Sequence, residues 1–350
     1  MADGLVISID GMGGDHAPKS VVEGLDVAAQ AHAGVRFLIH GPRAQLAALL
    51  DQYPNAKRVT EIVDAEGVIG MEVKPSQALR QGKGTSLWSA IQAVEESRAH
   101  AVVSAGNTGA LMAIGMFRLR LQAGVHRPAL VAGWPTMKGF AAVLDVGANV
   151  AADSSQLVEF AIMGEAFHRA VYGVSRPTVG LLNVGAEDQK GHEEIRAAAR
   201  LIRESGVDIS FQGFVEGDDI SKGAVDVVVT DGFTGNIALK TAEGTARLVS
   251  AFLKEALTSG PIAMLGAAIA RPALMRLRER MDPRTVNGGV FLGLNGLVVK
   301  SHGSADGPSF AAAVRVAVRL AQSHFRDEVA ANLAQLGRAA PAATAEREAS

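Results

Sequence analysis

The chain has 350 residues, 48% of them hydrophobic and 20% charged, and its 34 basic and 36 acidic side chains leave a formal net charge of -2. Balanced charge excludes bulk attraction to nucleic acid, and the absence of Cys excludes disulfides, thiolate metal sites and a cysteine nucleophile. The opening MADGLVISID has neither a basic n-region nor a long apolar run, so no signal peptide is expected and a cytoplasmic enzyme is.

In chain order, β-branched and aliphatic runs predict strands near residues 5–9, 35–39, 59–63, 101–104, 141–145, 178–182, 209–214 and 225–230. Helical periodicity fills most of the gaps, at 20–31, 43–50, 86–97, 108–119, 154–172 and 193–204. Such alternation implies a three-layer α/β/α fold around a mostly parallel sheet. A long helical stretch from 235 to 280, broken at Gly260-Pro261 and again near Pro272, reads as a projecting helical hairpin occupying 235–284. The short strands in GGVFLG and GLVVK follow, then SHGSADG, then a last helix from Pro308 to about Leu336. No composition shift marks a second domain, so 1–337 is expected to form one catalytic unit, with a disordered tail at 338–350.

Five strands run straight into a glycine turn carrying polar groups: LVISIDGMGGDHAP at 5–18, AVVSAGNTGA at 101–110, AAVLDVGAN at 141–149, TVGLLNVGAEDQKG at 178–191 and DVVVTDGFTGN at 226–236. Turns after parallel strands gather outside one carboxyl edge of the sheet, so the expectation is a single site assembled from all five. Glycine turns backed by helix N-termini present N–H groups to an anion. The nucleotide motifs fail. GMGG at 11–14 lacks the G-x-G-x-x-G spacing, and the second strand ends at His40 where a ribose-binding acid is required. GKGTS at 82–86 has Gln77 in place of the first Walker glycine. No metal-ligand spacing occurs, so neither metal nor cofactor is expected.

Each polar turn also has a purely structural reading. Asp10 and Asp15 can cap the following helix, and His16 can be an ordinary loop histidine, but the density of DGMGGDH favours a site with Gly13 and Gly14 at close backbone approach. Asn107 and Thr108, after Ser104, can cap a helix and bind an anion with the same amides. Asp145 and Asn149 can form an Asx turn or face a reacting carbonyl. Lys190, beside Asn183 and Glu187, is the preferred cation for developing negative charge. Asp231 offers a base or orienting group, Thr234 and Asn236 neutral donors, and Asn295, Lys300, His302 and Ser304 further donors from the far end of the chain.

Six blocks in order, IDGMGGDHAP, SAGNTGALM, DVGAN, LNVGAEDQKG, VVVTDGFTGNIALK and GLNGLVVKSHGSA, resemble the signature blocks of the bacterial phosphate acyltransferase (PlsX) family across nearly the whole chain. Gly11 and Asp188 stand where that family usually has Ala and Glu. The resemblance implies a fold similar to phosphate acetyltransferases and to isocitrate and isopropylmalate dehydrogenases, usually as a homodimer. It implies transfer of a long-chain acyl group from acyl carrier protein to inorganic phosphate for phospholipid synthesis, upstream of a glycerol-phosphate acyltransferase. A thioester has a good leaving group and phosphate is partly a dianion, so the requirements reduce to a phosphate cradle, oxyanion donors and alignment. A phosphate acetyltransferase using short acyl-CoA is the nearest rival reading, and a non-catalytic lipid-enzyme scaffold the rival of another class.

The apolar PIAMLGAAIA at 261–270 is too short to span a bilayer and is followed by Arg271, Arg276 and Arg278. Either it packs at a dimer interface, or Met264 and Leu265 enter an anionic membrane surface while the arginines meet lipid or acidic carrier protein.

Overall fold

The computed structural model describes residues 4–280 and 288–345. The first half of the chain forms β1 (Val6–Asp10), α1 (Lys19–Ala31), β2 (Arg36–Gly41), α2 (Arg43–Leu50), α3 (Pro54–Val59), β3 (Thr60–Asp64), α4 (Pro75–Gln81), α5 (Ser86–Glu95), β4 (Ala101–Ser104) and α6 (Thr108–Leu119). Then come β5 (Ala129–Thr136), β6 (Gly139–Leu144), α7 (Ser154–Tyr172), β7 (Thr178–Leu182), α8 (Glu193–Glu204), β8 (Ser210–Val215), α9 (Gly217–Lys222) and β9 (Val227–Val229). The rest is α10 (Gly232–Leu257), α11 (Pro261–Arg280), β10 (Gly289–Leu292), β11 (Leu297–Lys300), α12 (Gly307–Gln322) and α13 (Phe325–Ala345).

All eleven strands join one sheet in the order β3-β2-β1-β4-β11-β10-β5-β6-β9-β7-β8. Successive side chains of a strand face opposite layers. Ile7, Ile9, Ala101 and Val103 therefore pack in a core with Leu25 of α1, Phe160 of α7 and Phe310 of α12. Val102 instead meets Leu87 and Ile91 of α5 and Ile114 of α6 on the other face. Ala238 and Leu239 of α10 cover Val143 and Val228 on that second face. The three-layer α/β/α architecture expected from the sequence is present.

The outer pairings are parallel, but β11–β10, β10–β5 and β5–β6, side by side in the middle, are antiparallel. The chain direction thus reverses between the two halves of the sheet. Strands β1, β2, β3, β4 and β11 run one way, and β6, β7, β8 and β9 run the other. The single carboxyl edge inferred from sequence is replaced by two opposite edges. The cause is β5, whose RPALVAGWPT is broken by Pro and Gly and does not read as a strand.

Other boundaries also differ. Pro272 lies inside α11 instead of breaking it, and its surroundings explain this, because the Ala268 carbonyl one turn earlier is on an exposed stretch where water can bond it. The last helix is two: the Ser323 hydroxyl bonds the Leu320 carbonyl at 2.8 Å and accepts from Phe325 N at 3.3 Å, which ends α12 and starts α13. The latter runs to Ala345, beyond Leu336 and into the segment expected as a tail. Residues 281–284 of the expected hairpin and 346–350 of that tail lie outside the described residues. The hairpin itself is an open elbow, with α10 and α11 bent by 117°. No single described helix is long and apolar enough to cross a membrane.

Helices α1 and α12 cross closely because Gly24 has no side chain. A Cβ there would lie 2.8 Å from the Gly307 carbonyl and 2.9 Å from Phe310 Cβ. Gly24→Val is expected to lower unfolding free energy by about 1–3 kcal/mol. Gly244→Ala in α10, where a Cβ meets nothing within 4 Å, is expected to be neutral or to stabilise by up to about 1 kcal/mol. Urea unfolding measures both, and equal effects would mean that the crossing is not close-packed.

Candidate functional site

Neighbouring β1, β4 and β11 bring three carboxyl-end turns together. Asp10 closes β1 and is only 2% exposed. Its Oδ1 accepts from Ser86 Oγ at 2.6 Å, its Oδ2 from Ser104 Oγ at 2.7 Å, and Oδ1 also from Met12 N at 3.3 Å. Burial pushes this carboxyl above its ordinary pKa, and the hydroxyl bonds draw it partly back. Ser104 Oγ accepts in turn from Gly106 N at 3.0 Å.

Lys300 ends β11 beside this carboxylate and is 9% exposed. Burial lowers its pKa to about 8, against the opposing pull of Asp10 and Asp15. An ammonium has three donors. Its Nζ bonds the Ala105 carbonyl at 3.4 Å and the Ser301 carbonyl, which leaves one donor for a ligand. Gly13 and Gly14 form the wall: a Cβ on Gly13 would sit 2.7 Å from Gly106 N, and Gly14 has φ +109°. Asp15 N bonds the Gly303 carbonyl at 2.8 Å, tying the first turn to the last. At the rim, His302 Nδ1 and Ser304 Oγ are 2.9 Å apart, and His16 and Asp15 are exposed. Burial, then the charge of Lys240 on α10, lowers the His302 pKa. The result is a set of close-packed glycine turns gathered around a buried cation, suited to an oxyanion at their outer face.

A second cluster stands at the opposite edge. The Asp145 carboxylate is fully buried and accepts five bonds, from Leu130 N (3.0 Å), Gly147 N (3.1 Å), Ala148 N (3.0 Å), Asn149 N (2.7 Å) and Asn149 Nδ2 (2.9 Å). Asn149 Nδ2 also reaches the Pro128 carbonyl at 2.8 Å. The structural reading prevails here: these groups hold a turn. The first turn of α10 packs on it, since a Cβ on Gly232 would be 2.8 Å from Asp145 Oδ2, and Asn236 lies beside Gly147. Asp231 caps α10, accepting from Thr234 N at 2.9 Å and Thr234 Oγ1 at 2.8 Å.

Lys190 is not the buried cation. It is half-exposed and paired with Glu187 at 2.8 Å, which raises its pKa. Asn183 donates to the Lys190 carbonyl at 3.1 Å, holding that turn closed, while its buried Oδ1 has no partner among the described residues. Asn295 sits in the β10–β11 turn, at the end of β11 away from Lys300, where its Nδ2 bonds the Leu121 carbonyl at 2.8 Å. Ser104 is wholly buried, so it supports the site from beneath and does not line it. Asn107 is spent on backbone carbonyls, and Thr108 is exposed at the start of α6. Sequence reasoning missed Ser86, the first residue of α5; the one available signal was a Thr-Ser pair opening a helix after GKG.

On α10 and α11, Phe252, Ile262, Met264, Leu265 and Ile269 are exposed, with Arg271 and Arg276 on the same arm. Arg278 belongs to α11, and its side chain lies outside the described residues.

Comparison with known proteins places this geometry in a family. Residues 5–328 match the model described as fatty acid synthesis protein. A phosphate acyltransferase of Caulobacter vibrioides is 61% identical over 336 residues, covering 96% of this chain and 93% of that protein. Another, of Phenylobacterium zucineum, is 56% identical over 96% of this chain and 95% of its own length. Among solved structures, the EutD phosphotransacetylase of Staphylococcus aureus aligns with TM-score 0.61 at 16% identity, covering 91% of this chain and 94% of that one. A phosphotransacetylase of Streptococcus pyogenes aligns with TM-score 0.61 at 15% identity over 92% and 95%, a likeness of fold. The chain belongs to the fatty acid synthesis protein family of phosphate acyltransferases and is an enzyme of that class.

Proposed function

We propose that the enzyme moves a long-chain acyl group from acyl carrier protein to inorganic phosphate, giving an acyl phosphate for phospholipid synthesis. The observation that carries this reading is the buried Lys300 ammonium among the glycine turns, with the charges of Asp10 and Asp15 acting on it. Phosphate held there presents an oxygen to the thioester carbonyl. The carbon–oxygen bond forms, the carbonyl oxygen takes the negative charge, and the carrier's thiolate leaves as the carbonyl re-forms. Lys300, with the rim donors His302 and Ser304, neutralises the charge on phosphate and on that oxygen. The chemistry needs neither nucleotide nor divalent metal.

The exposed apolar arm supports the rest of the reading. Ile262 is 88% exposed, and Met264, Leu265 and Ile269 are also exposed. Such a surface suits a homodimer contact, with its outer end resting peripherally on an anionic membrane where a lipophilic product departs towards a glycerol-phosphate acyltransferase. Arg271 and Arg276 suit lipid phosphates or an acidic carrier protein.

The deciding assay is turnover of palmitoyl-carrier protein and of acetyl-CoA with phosphate after chelation. Palmitoyl transfer alone supports the proposal. Acetyl transfer alone means a phosphate acetyltransferase, and turnover of neither donor overturns both substrate assignments.

Lys300→Met is expected to lower kcat/KM for phosphate by about 100-fold or more. Lys190→Ala, which removes an exposed pair, should stay within about fivefold of the parent. The reverse order would return the role to Lys190.

The lowered Lys300 pKa sets a pH limb: kcat/KM for phosphate is expected to fall as pH rises through about 8. The folded chain releases this proton before the unfolded chain does, since the ordinary value is 10.5. Between those values the unfolded state binds more protons, so this group makes folding more stable as pH rises. A matching fall in thermal stability would assign the limb to unfolding instead.

Met264→Glu with Leu265→Glu is expected to abolish salt-sensitive sedimentation with anionic vesicles while leaving activity on soluble acyl-carrier protein intact. Sedimentation equal to the parent would make the arm structural only.

A further inference from the structure

The segment between β3 and α4, AEGVIGMEVK at 65–74, is tied to the Lys300 site at both ends. At its base, Gly67 N bonds the Gly84 carbonyl at 3.2 Å and Ser86 N bonds the Gly67 carbonyl at 2.9 Å. Ser86 is the residue whose hydroxyl grips Asp10. On the far limb, Asn107 Nδ2 donates to the carbonyls of Gly70 (3.2 Å), Met71 (2.8 Å) and Val73 (2.8 Å), and Asn107 Oδ1 accepts from Ala110 N at 3.0 Å. Asn107 is buried, and both its N–H donors are committed to these three carbonyls.

Between the ties the apolar residues divide. Ile69 and Val73 pack against the core under α5 and α6. Val68 and Met71 face outward, 49% and 44% exposed. Met71 reaches the site itself, since its Cε would lie 3.2 Å from a Cβ built on Gly303. Gly303 is the residue whose carbonyl is bonded to Asp15 N. A flexible thioether therefore stands at the rim of a polar site, on a loop held at four backbone positions.

Lys300 is followed directly by the 301–304 turn, and Met71 stands against Gly303 of that turn, close to where a carbonyl reacting with an anion on Lys300 would lie. We propose that Met71 is a specificity-determining residue, the apolar wall met by the first carbons of the acyl group. Asn107 is the positioning residue that holds this wall in place and is not a ligand of phosphate. The inference rests on the acyl-carrier reading above and deepens it by assigning the acyl contact.

Steady-state kinetics with palmitoyl-, octanoyl- and butyryl-carrier protein, at varied donor and varied phosphate, test the assignment. Met71→Glu puts a carboxylate on an exposed side chain, so folding is not at risk. It should raise the KM for palmitoyl donor about tenfold or more, with the KM for phosphate unchanged. Met71→Trp should shift preference towards the shorter chains. Asn107→Ala should raise donor KM in the same sense and speed hydrogen exchange of the amides at 67–73, again without changing the KM for phosphate. A chain-length profile equal to the parent's in both Met71 variants would overturn the wall. A raised KM for phosphate in Asn107→Ala with donor KM unmoved would overturn the positioning role and make Asn107 an anion ligand. If the parent uses only acetyl-CoA, the long-chain reading fails separately. The wall is then judged by the KM for acetyl-CoA in Met71→Glu, where a rise supports it and parity overturns it.

Discussion

A lysine held almost out of water is the constraint on which the site depends. Stripping an ammonium of solvent costs several kcal/mol unless charge and hydrogen bonds replace the water. Asp10 supplies the charge and the Ala105 and Ser301 carbonyls supply the bonds. Asp10 is buried in turn and needs its own donors, which explains why two serines from two elements, Ser86 of α5 and Ser104 of β4, converge on it. Each partner is fixed by an element of the fold, so the Asp10 hydrogen bonds join β1, β4 and α5, and Lys300 adds β11 through the Ala105 and Ser301 carbonyls.

The reversal of direction in the middle of the sheet then decides which turns can share a ligand. Turns after β1, β4 and β11 meet because those strands are parallel neighbours. Turns after β6, β7 and β9 meet at the other edge for the same reason. Helix α10 is the physical link between the edges. It starts on the Asp145 turn, and Lys240, about 13 Å further along its axis at 1.5 Å per residue, lowers the pKa values of both Lys300 and His302.

Much of this was legible in the sequence, and the failures have physical causes. Strand-to-glycine turns put Asp10, Gly13, Gly14 and Lys300 at one sheet edge, where the fold has them, because a polar residue at the end of an apolar run lies at a sheet edge. The ends of α6, α7 and α8 were equally clear from periodicity. Burial was not legible. Lys190 and Lys300 both stand at or beyond strand ends, and only the fold shows that Glu187 curls back to the first while the second is buried. Direction was not legible either, since the strand that reverses the sheet carries Pro135 and Gly133. Ser86 escaped because it contributes from the start of a helix, outside the strand-turn pattern that revealed the others.

The two buried carboxylates illustrate how the same residue type after the same kind of strand acquires different work. Asp145 accepts five hydrogen bonds, four from backbone amides, and they hold its turn together. Asp10 accepts from two hydroxyls and one long amide bond, and burial outweighs them, so its carboxyl lies above the ordinary range. Hydroxyls can rotate, amides cannot. The Asp10 network can therefore rearrange at its two serine hydroxyls without moving the backbone, while the Asp145 network, made mostly of backbone amides, keeps the root of α10 in place.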